Sequence, residues 1–227
     1  MAPFTVKVCG ITRSADATDA LAQGVAYIGV NRWPRSPRFV ADASVRALIG
    51  AVPAGRRVFV DVHPAPEKIT AAVDDGFDFF QIHFDPAHAT ARADVAAWEE
   101  RAGRHRLWLA PRVPDGTDWP QWVFAHAGTF LCDGFRAGQF GGTGHTADWG
   151  RFTALKNAHP EKRWLLAGGL GPATIALAAG TGADFFDLNS AIEDAPGLKN
   201  VEKLAQTLTV LRKIAHPTAP NAPIESF

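Results

Sequence analysis

The sequence of 227 residues has very little cysteine, with only two residues of this type, and it has one methionine and one tyrosine. Cys9 and Cys132 lie far apart and lack Cys-x-x-Cys spacing. This pattern excludes a disulfide framework and a thiolate metal site. Two free thiols are therefore predicted.

The sequence also lacks an excess of charge of one sign and long apolar runs. Lys+Arg and Asp+Glu are equal at 23 each, so no overall field favours nucleic acid or an anionic membrane as a partner. No stretch of about 18 apolar residues occurs, and the N-terminus has no basic segment followed by an apolar run. The sequence therefore predicts a cytoplasmic protein without nucleic-acid or membrane partners, in which local groups hold any anionic ligand.

The length and the 47% hydrophobic content favour one domain with one core. Short runs rich in Val, Ile, Phe and Trp alternate with Ala-rich stretches of helical spacing, which is typical of βα units and a parallel sheet. The predicted strands are 5–11, 26–30, 57–62, 77–83, 106–113, 128–133, 163–169 and 183–189. Eight strands, each followed by a helix, predict a single-domain α/β protein, a (β/α)₈ TIM barrel over 1–215, with a Pro-rich tail at 216–227.

Two of the predicted helices carry the clearest signals. Residues 65–76 place Pro66 at the start of a helix and Gly76 at its end. The last helix has one apolar stripe, because its large apolar residues recur every three or four positions. The stripe consists of Val201, Leu204, Leu208, Leu211 and Ile214.

Catalytic residues of such a barrel lie where strands end and the following loops begin. Polar groups occur there at Cys9, His83 and Asp133, and the second junction continues into "RSPR" at 35–38. Three further junctions, "GGTG" at 141–144, "AGGL" at 167–170 and "NSA" at 189–191, are candidate anion cradles, since glycine lets backbone N–H groups approach phosphate. No His, Asp or Glu group has the spacing of a metal site, and none is predicted.

Each reactive residue also has a structural interpretation. Cys9 could be a buried packing residue, Asp133 an N-cap, and His83 a hydrogen-bonded core histidine. Lys7 points inward on the first strand and needs an anion, for which Asp187 is a candidate. Strand alternation places Leu131 and Asp133 on one side of the sixth strand and Cys132 on the other, and it places Lys7 on the same side as Cys9.

An ordered set of motifs resembles the phosphoribosylanthranilate isomerase family over nearly the whole chain. The motifs are "KVCGIT" (7–12), "RSPR" (35–38), "QIH" (81–83), "LCD" (131–133), "GGTGHTADW" (141–149), "LAGGL" (166–170) and "DLNSAIEDAPGLKN" (187–200). The resemblance implies a cofactor-free Amadori rearrangement of a phosphorylated aminoaldose, carried out by a monomer or homodimer.

By that resemblance, Cys9 is the general base, Asp133 the general acid and Arg38 the group that binds the anthranilate carboxylate. His83 belongs to the binding shell. The residues implied to bind phosphate lie in the three glycine- or serine-containing loops: Gly142, Thr143, Gly144, Gly168, Gly169, Asn189 and Ser190.

The chain departs from the family pattern at four junctions. They carry Asn31-Arg32, Phe84, His145 and Ala191. Arg32 is expected to clash with or supplement the anthranilate pocket, and Phe84 to narrow it. Two alternatives therefore stay open: an isomerase for another phosphorylated aminoaldose, or a phosphate-binding barrel without turnover.

Overall fold

The structure is a computed structural model that describes residues 4–114, 116–133 and 149–216. Eight parallel strands close into a barrel in which each strand pairs with the next and the eighth pairs with the first. The strands are β1 (Thr5–Val8), β2 (Tyr27–Asn31), β3 (Arg57–Val62), β4 (Phe79–Phe84), β5 (Leu107–Pro111), β6 (Thr129–Cys132), β7 (Arg163–Leu166) and β8 (Phe185–Leu188). The predicted barrel is confirmed.

Seven α-helices of the described residues surround the barrel. They are α1 (Ser14–Ala22), α2 (Asp42–Gly50), α3 (Pro66–Asp75), α4 (Ala91–Ala102), α5 (Trp149–Ala158), α6 (Ile175–Ala179) and α7 (Val201–Ala215). Helix α3 begins at Pro66 and ends against Gly76, whose φ of 97° is left-handed, as predicted. None of the helices in the described residues is long and apolar enough to cross a membrane.

The prediction that an α-helix follows every strand is wrong after β5. A short 3-10 helix, Gln121–Ala125, takes that place. Pro114 and Pro120 lie in the connection before it, and a proline disfavours helical backbone at the preceding residue. Too few residues then remain before β6 for an α-helix of ordinary length.

Several strands end earlier than predicted, and the residues beyond their ends form the loops of the site. The prediction of strand through Ile11 fails because Gly10 has a φ of 68°, which ends the extended backbone of β1. Gly168 and Gly169, with φ of 95° and 64°, end β7 in the same way. A hairpin that the sequence did not indicate follows β8, with strands β9 (Glu193–Ala195) and β10 (Leu198–Lys199).

The barrel interior is lined by alternate residues of the strands. At its N-terminal end, four aromatic rings pack with centroids 5.0–5.6 Å apart: Tyr27, Phe79, Trp108 and Phe185. Above them Lys7 donates to Asp187 over 2.8 Å, which confirms the predicted neighbour. Gly29 leaves room for this lysine, since a Cβ there would lie 2.9 Å from Lys7 Cε. The interior is therefore a packed core rather than a pore.

A second hydrophobic cluster, the outer cluster, lies outside the barrel between its strands and the surrounding helices. The α7 stripe contributes Leu204, Leu208 and Leu211, which are buried, while Val201 and Ile214 stay 42% exposed. Helix α7 ends at Ala215, and beyond His216 the proposed Pro-rich tail lies outside the described residues, so the division at 215 stays a prediction.

Phe84 belongs to this outer cluster. It is fully buried, with ring centroids 5.7 Å from Trp98 and 6.3 Å from Trp122. We expect Phe84→Ala to lower the free energy of unfolding by about 3–5 kcal/mol, because it removes a buried aromatic ring and leaves a cavity. Urea unfolding followed by circular dichroism measures this change.

Leu177→Ala is the matched control, because Leu177 is 66% exposed and its truncation is expected to cost less than about 0.5 kcal/mol. Equal stability of the Phe84→Ala variant and the unmodified protein would contradict the placement of Phe84 in the helix layer.

Candidate active site

A cavity of about 740 Å³, including its open mouth, lies at the carboxyl ends of the strands. It brings together every described residue that the sequence analysis assigned to the site. These residues are Cys9, Arg38, His83, Asp133, Gly168, Gly169, Asn189 and Ser190. The proposed phosphate-loop residues Gly142, Thr143 and Gly144, and with them His145, lie outside the described residues.

Cys9 lies just beyond the end of β1, in the interior cluster and on the cavity wall. Cys9 is 5% exposed, and burial raises the pKa of its thiol even though the Lys7 ammonium acts in the opposite direction. A thiol with a raised pKa is a stronger base once it is deprotonated, while the lysine below it stabilises the thiolate. The geometry therefore suits proton abstraction inside the cavity.

The sixth strand separates its side chains as predicted. Leu131 and Asp133 line the cavity, whereas Cys132 packs in the outer cluster between strand and helices. Asp133 follows the last residue of β6 and is partly exposed to solvent. The two cysteines therefore differ in surroundings, and only Cys9 borders the cavity.

Below Cys9, the Lys7–Asp187 ion pair supplies the charge of the interior. The Lys7 side chain is fully buried and that of Asp187 is 6% exposed. Burial by itself lowers the pKa of Lys7, but Asp187 and Cys9 reverse this effect and raise it. Lys7 therefore stays charged over the whole physiological range, as a fixed cation next to the thiol.

His83 lies on the cavity wall with its imidazole in a hydrogen bond to Gln81 Nε2, at 3.0 Å from His83 Nε2. Burial, with a smaller contribution from Lys7, lowers the pKa of His83 to about 4. The imidazole is therefore neutral at physiological pH, and it serves as a hydrogen-bonding group rather than a cation. Its predicted role in substrate binding stays a prediction.

Arg38 is held in a position that the sequence did not indicate. Its Nε lies 2.9 and 3.1 Å from the two carboxylate oxygens of Glu193, and its Nη2 donates to Glu193 Oε2 over 2.6 Å. Gly10 is required under this side chain, because a Cβ there would lie 2.4 Å from Arg38 Cδ. One edge of the guanidinium is thus occupied, and Nη1 makes no hydrogen bond with the described residues.

Lys199 completes this buried network. Its Nζ lies 2.6 Å from Glu193 Oε1 and 2.9 Å from Asn189 Oδ1, and its side chain is only 5% exposed. Burial lowers the pKa of Lys199, whereas Arg38 and Lys199 together lower that of Glu193 against the effect of burial. Two cations and one carboxylate leave this corner of the cavity with net positive charge, which favours an anionic ligand.

The loops after β7 and β8 form the other wall of the cavity. Gly168 and Gly169 are both left-handed, and two such residues in succession present backbone without Cβ atoms. Asn189 and Ser190 enter a 3-10 turn, Ser190–Ile192. Ala191 in this turn approaches Gly171, where a Cβ would lie 2.7 Å from the Ala191 Cβ.

The expectations for Arg32 and Phe84 are wrong. Neither lines the cavity: Arg32 donates to the Val40 carbonyl and the Asp42 carboxylate, and Phe84 packs under the helices. Side chains of a strand alternate between interior and exterior. Asn31 and His83 line the cavity, so the residues that follow them, Arg32 and Phe84, point to the exterior.

A different polar group on that side does line the cavity. Asp61, at the end of β3, is 2% exposed and forms an ion pair of 2.5 Å with Lys68 Nζ. Burial raises the pKa of Asp61 even though Lys68 acts in the opposite direction. Sequence reasoning missed Asp61 because it sits inside an otherwise apolar strand. The only signal in the sequence was its position in the strand, because alternation places that position on the inward face.

The barrel and the cavity lined by polar residues at its strand ends define a class of protein. It is a barrel enzyme that acts on a small anionic substrate at the carboxyl ends of its strands. The family model described as N-(5'phosphoribosyl)anthranilate (PRA) isomerase matches residues 6–210. A protein of Nitrosomonas europaea with the name N-(5'-phosphoribosyl)anthranilate isomerase is 34% identical over 214 residues, which cover 91% of this chain and 94% of that protein. The chain belongs to the phosphoribosylanthranilate isomerase family.

Solved structures agree with this assignment. The phosphoribosyl anthranilate isomerase of Thermus thermophilus has a TM-score of 0.77 at 27% identity, and the match covers 93% of this chain and all of the other. A further isomerase, solved with reduced 1-(o-carboxyphenylamino)-1-deoxyribulose 5-phosphate, has a TM-score of 0.73 at 22% identity, with 92% and 98% of the two chains covered. The second likeness shows the fold alone.

The surroundings of the two thiols generate a test. We expect iodoacetamide to modify Cys9 faster than Cys132, because Cys9 borders the cavity and Cys132 lies under the helices. Since burial raises the pKa of Cys9, its rate of modification should keep rising with pH beyond the ordinary thiol pKa of about 8.5. Peptide mapping by mass spectrometry over a pH series measures both rates.

A bound product analogue should slow the modification of Cys9 and leave that of Cys132 unchanged. Faster modification of Cys132 would contradict the placement of Cys9 on the cavity wall. So would a rate of Cys9 modification that does not change when ligand is bound.

Proposed function

We propose that the protein converts N-(5-phosphoribosyl)anthranilate to 1-(2-carboxyphenylamino)-1-deoxyribulose 5-phosphate, with Cys9 as general base and Asp133 as general acid. The observation that carries the proposal is that both groups line the same cavity, together with Arg38 of the cationic corner and the two left-handed glycines. Membership of the family supports the same reaction.

The reaction begins with opening of the furanose ring, which requires a proton on the ring oxygen. Asp133 is the donor in this proposal, since a carboxyl group that borders the cavity can deliver a proton there. Opening leaves a Schiff base that makes the proton on the sugar C2 acidic. Cys9 removes that proton as a thiolate, beside the Lys7 cation, and the resulting enolamine becomes the ketone.

In this proposal, the two ends of the cavity bind different parts of the substrate. Gly168, Gly169, Asn189 and Ser190 bind the phosphate in this proposal, because the loops after the last two strands of such barrels frequently do so. Arg38 binds the anthranilate carboxylate through Nη1, since Glu193 holds its other edge.

A second candidate keeps the chemistry and changes the amine. Asp61 favours it, because a buried carboxylate on the β3 side, across the barrel from the β7 and β8 loops, suits an amine that carries a hydrogen-bond donor.

One assay separates these functions. Rapid consumption of N-(5-phosphoribosyl)anthranilate by the purified protein, measured as the loss of substrate fluorescence, supports the first function. Binding of the product analogue without turnover supports a barrel that only binds phosphate esters.

The predicted cytoplasmic location and the monomer or homodimer state stay predictions, as does the absence of a cofactor. They do not enter the mechanism, which requires only groups of this chain.

The role of Asp133 predicts the effect of Asp133→Asn. We expect kcat to fall by about 10²–10⁴-fold while the affinity for a product analogue changes much less, because the amide keeps the shape of the side chain but donates no proton to the ring oxygen. Steady-state kinetics and analogue titration measure the two effects. A variant with near-native kcat would exclude Asp133 as the acid.

The role of Arg38 predicts a binding defect in Arg38→Lys. We expect KM to rise by about tenfold or more, since lysine cannot hold Glu193 and a carboxylate at the same time. Arg35→Lys is the matched control, because Arg35 belongs to the same motif but is exposed and does not line the cavity. Unchanged KM and product affinity in Arg38→Lys would contradict the anthranilate assignment.

A further inference from the structure

Three side chains from two separate segments, His63 from one and His88 and Asp94 from the other, meet at the carboxyl-terminal face of the barrel, outside the cavity. His63 follows β3, His88 lies in the loop before α4, and Asp94 lies in the first turn of α4. One ligand atom from each lies within 4.8 Å of the others, and His63 Nε2 is 2.7 Å from Asp94 Oδ2. In the described residues this is the one group of three such side chains that meets this criterion.

The ligand types select a class of metal. Two imidazoles and one carboxylate suit Zn²⁺, Co²⁺ or Ni²⁺, whereas Mg²⁺ and Ca²⁺ prefer oxygen ligands alone. Zinc bonds of about 2.0–2.2 Å in a tetrahedral site place ligand atoms roughly 3.3–3.5 Å apart. On binding a metal ion, the His63–Asp94 distance of 2.7 Å would increase, and any separation near the upper limit of 4.8 Å would decrease.

Neighbouring groups already orient the three ligands. Thr90 Oγ1 lies 2.5 Å from Asp94 Oδ2 and 2.9 Å from His88 Nδ1, so one hydroxyl holds two of the ligand side chains. Hydrogen bonds of this kind from outside the ligand set are typical of metal sites. The His63 ring packs edge-on against Trp98, with centroids 5.3 Å apart.

The backbone holds His63 in place as well. It has a φ of 44°, the one positive value of a non-glycine residue among the described ones, and its N–H donates to the His83 carbonyl over 2.8 Å. The side chain is thus presented from a loop that is tied to the neighbouring strand β4.

Other histidines of the described chain show what is unusual here. His126 contacts Glu99 at 2.7 Å and His159 contacts Glu161 at 3.8 Å, each as one imidazole with one carboxylate. Those pairs offer two ligand atoms and are ordinary contacts between polar side chains. The third ligand, His88, is what distinguishes the group at His63.

We propose that His63, His88 and Asp94 bind one divalent transition-metal ion, of which Zn²⁺ is the best match, with water in the fourth position. The ion links the loops after β3 and β4 to α4. None of the three residues lines the active-site cavity, so the site is separate from the residues of the proposed reaction. Its effect is on stability, because the ion binds the folded chain and not the unfolded one.

Cobalt provides the direct test, since Co²⁺ in a tetrahedral site with nitrogen ligands absorbs visible light and hexaaquo Co²⁺ does so only weakly. The full chain, freed of metal with a chelator, is titrated with CoCl₂ and then with ZnCl₂. We expect visible absorption that saturates at one Co²⁺ per chain and is abolished by Zn²⁺. At about 100 times its Kd, Zn²⁺ should raise Tm by roughly 5–10 °C.

Variants locate the ion. His88→Gln and Asp94→Asn should each weaken Zn²⁺ binding at least tenfold, as measured by calorimetry, whereas His105→Gln should leave it unchanged, because His105 is exposed in the turn before β5 at the opposite end of the barrel. His88 is itself exposed, so its replacement leaves the core intact. Equal affinity of His88→Gln and His105→Gln would overturn the proposal, as would weak, unsaturable Co²⁺ absorption of the unmodified chain.

Discussion

The buried ion pair between Lys7 and Asp187 is the interaction on which the interior of the barrel depends. Two charges removed from water are tolerated only when they are paired closely, and loss of one partner leaves the other uncompensated. The register of β1 against β8 places the two residues opposite each other, and Gly29 on β2 leaves space for the lysine. The closure of the barrel and the position of Cys9 above the pair follow from the same register.

The charges around the cavity are arranged in two separate groups. Lys7 and Asp187 neutralise each other below Cys9, while Arg38, Lys199 and Glu193 leave a net positive corner at the rim. Between them His83 stays neutral, because burial opposes its protonation. A buried thiol therefore faces one fixed cation from below, and an anionic ligand meets positive charge only at the edge. In the proposed function, this division lets one small cavity bind an anion without permanently ionising the Cys9 thiol, which is the proposed base.

The corrections to the expected pocket have a common cause. Arg32 and Phe84 lie next to cavity residues in sequence, but they occupy positions at which the strand or its end faces outward. Asp61 has the opposite character, since it lies in an apolar strand and faces inward. Proximity in sequence to a motif is thus a poor guide to the pocket wall, and the alternation of side chains along each strand decides which residues reach it.

The sequence alone determined the eight strands, the barrel class, the sides on which Cys9 and Cys132 lie and eight of the residues that meet in the cavity. Alternating apolar runs, glycines at strand ends and ordered motifs are local signals, so they can be read without coordinates. The partner of Arg38 and the meeting of His63 with His88 and Asp94 were decided only by the tertiary structure. Each depends on contacts between segments that are far apart in the chain, and neither periodicity nor spacing encodes the distance between such segments once the barrel has closed.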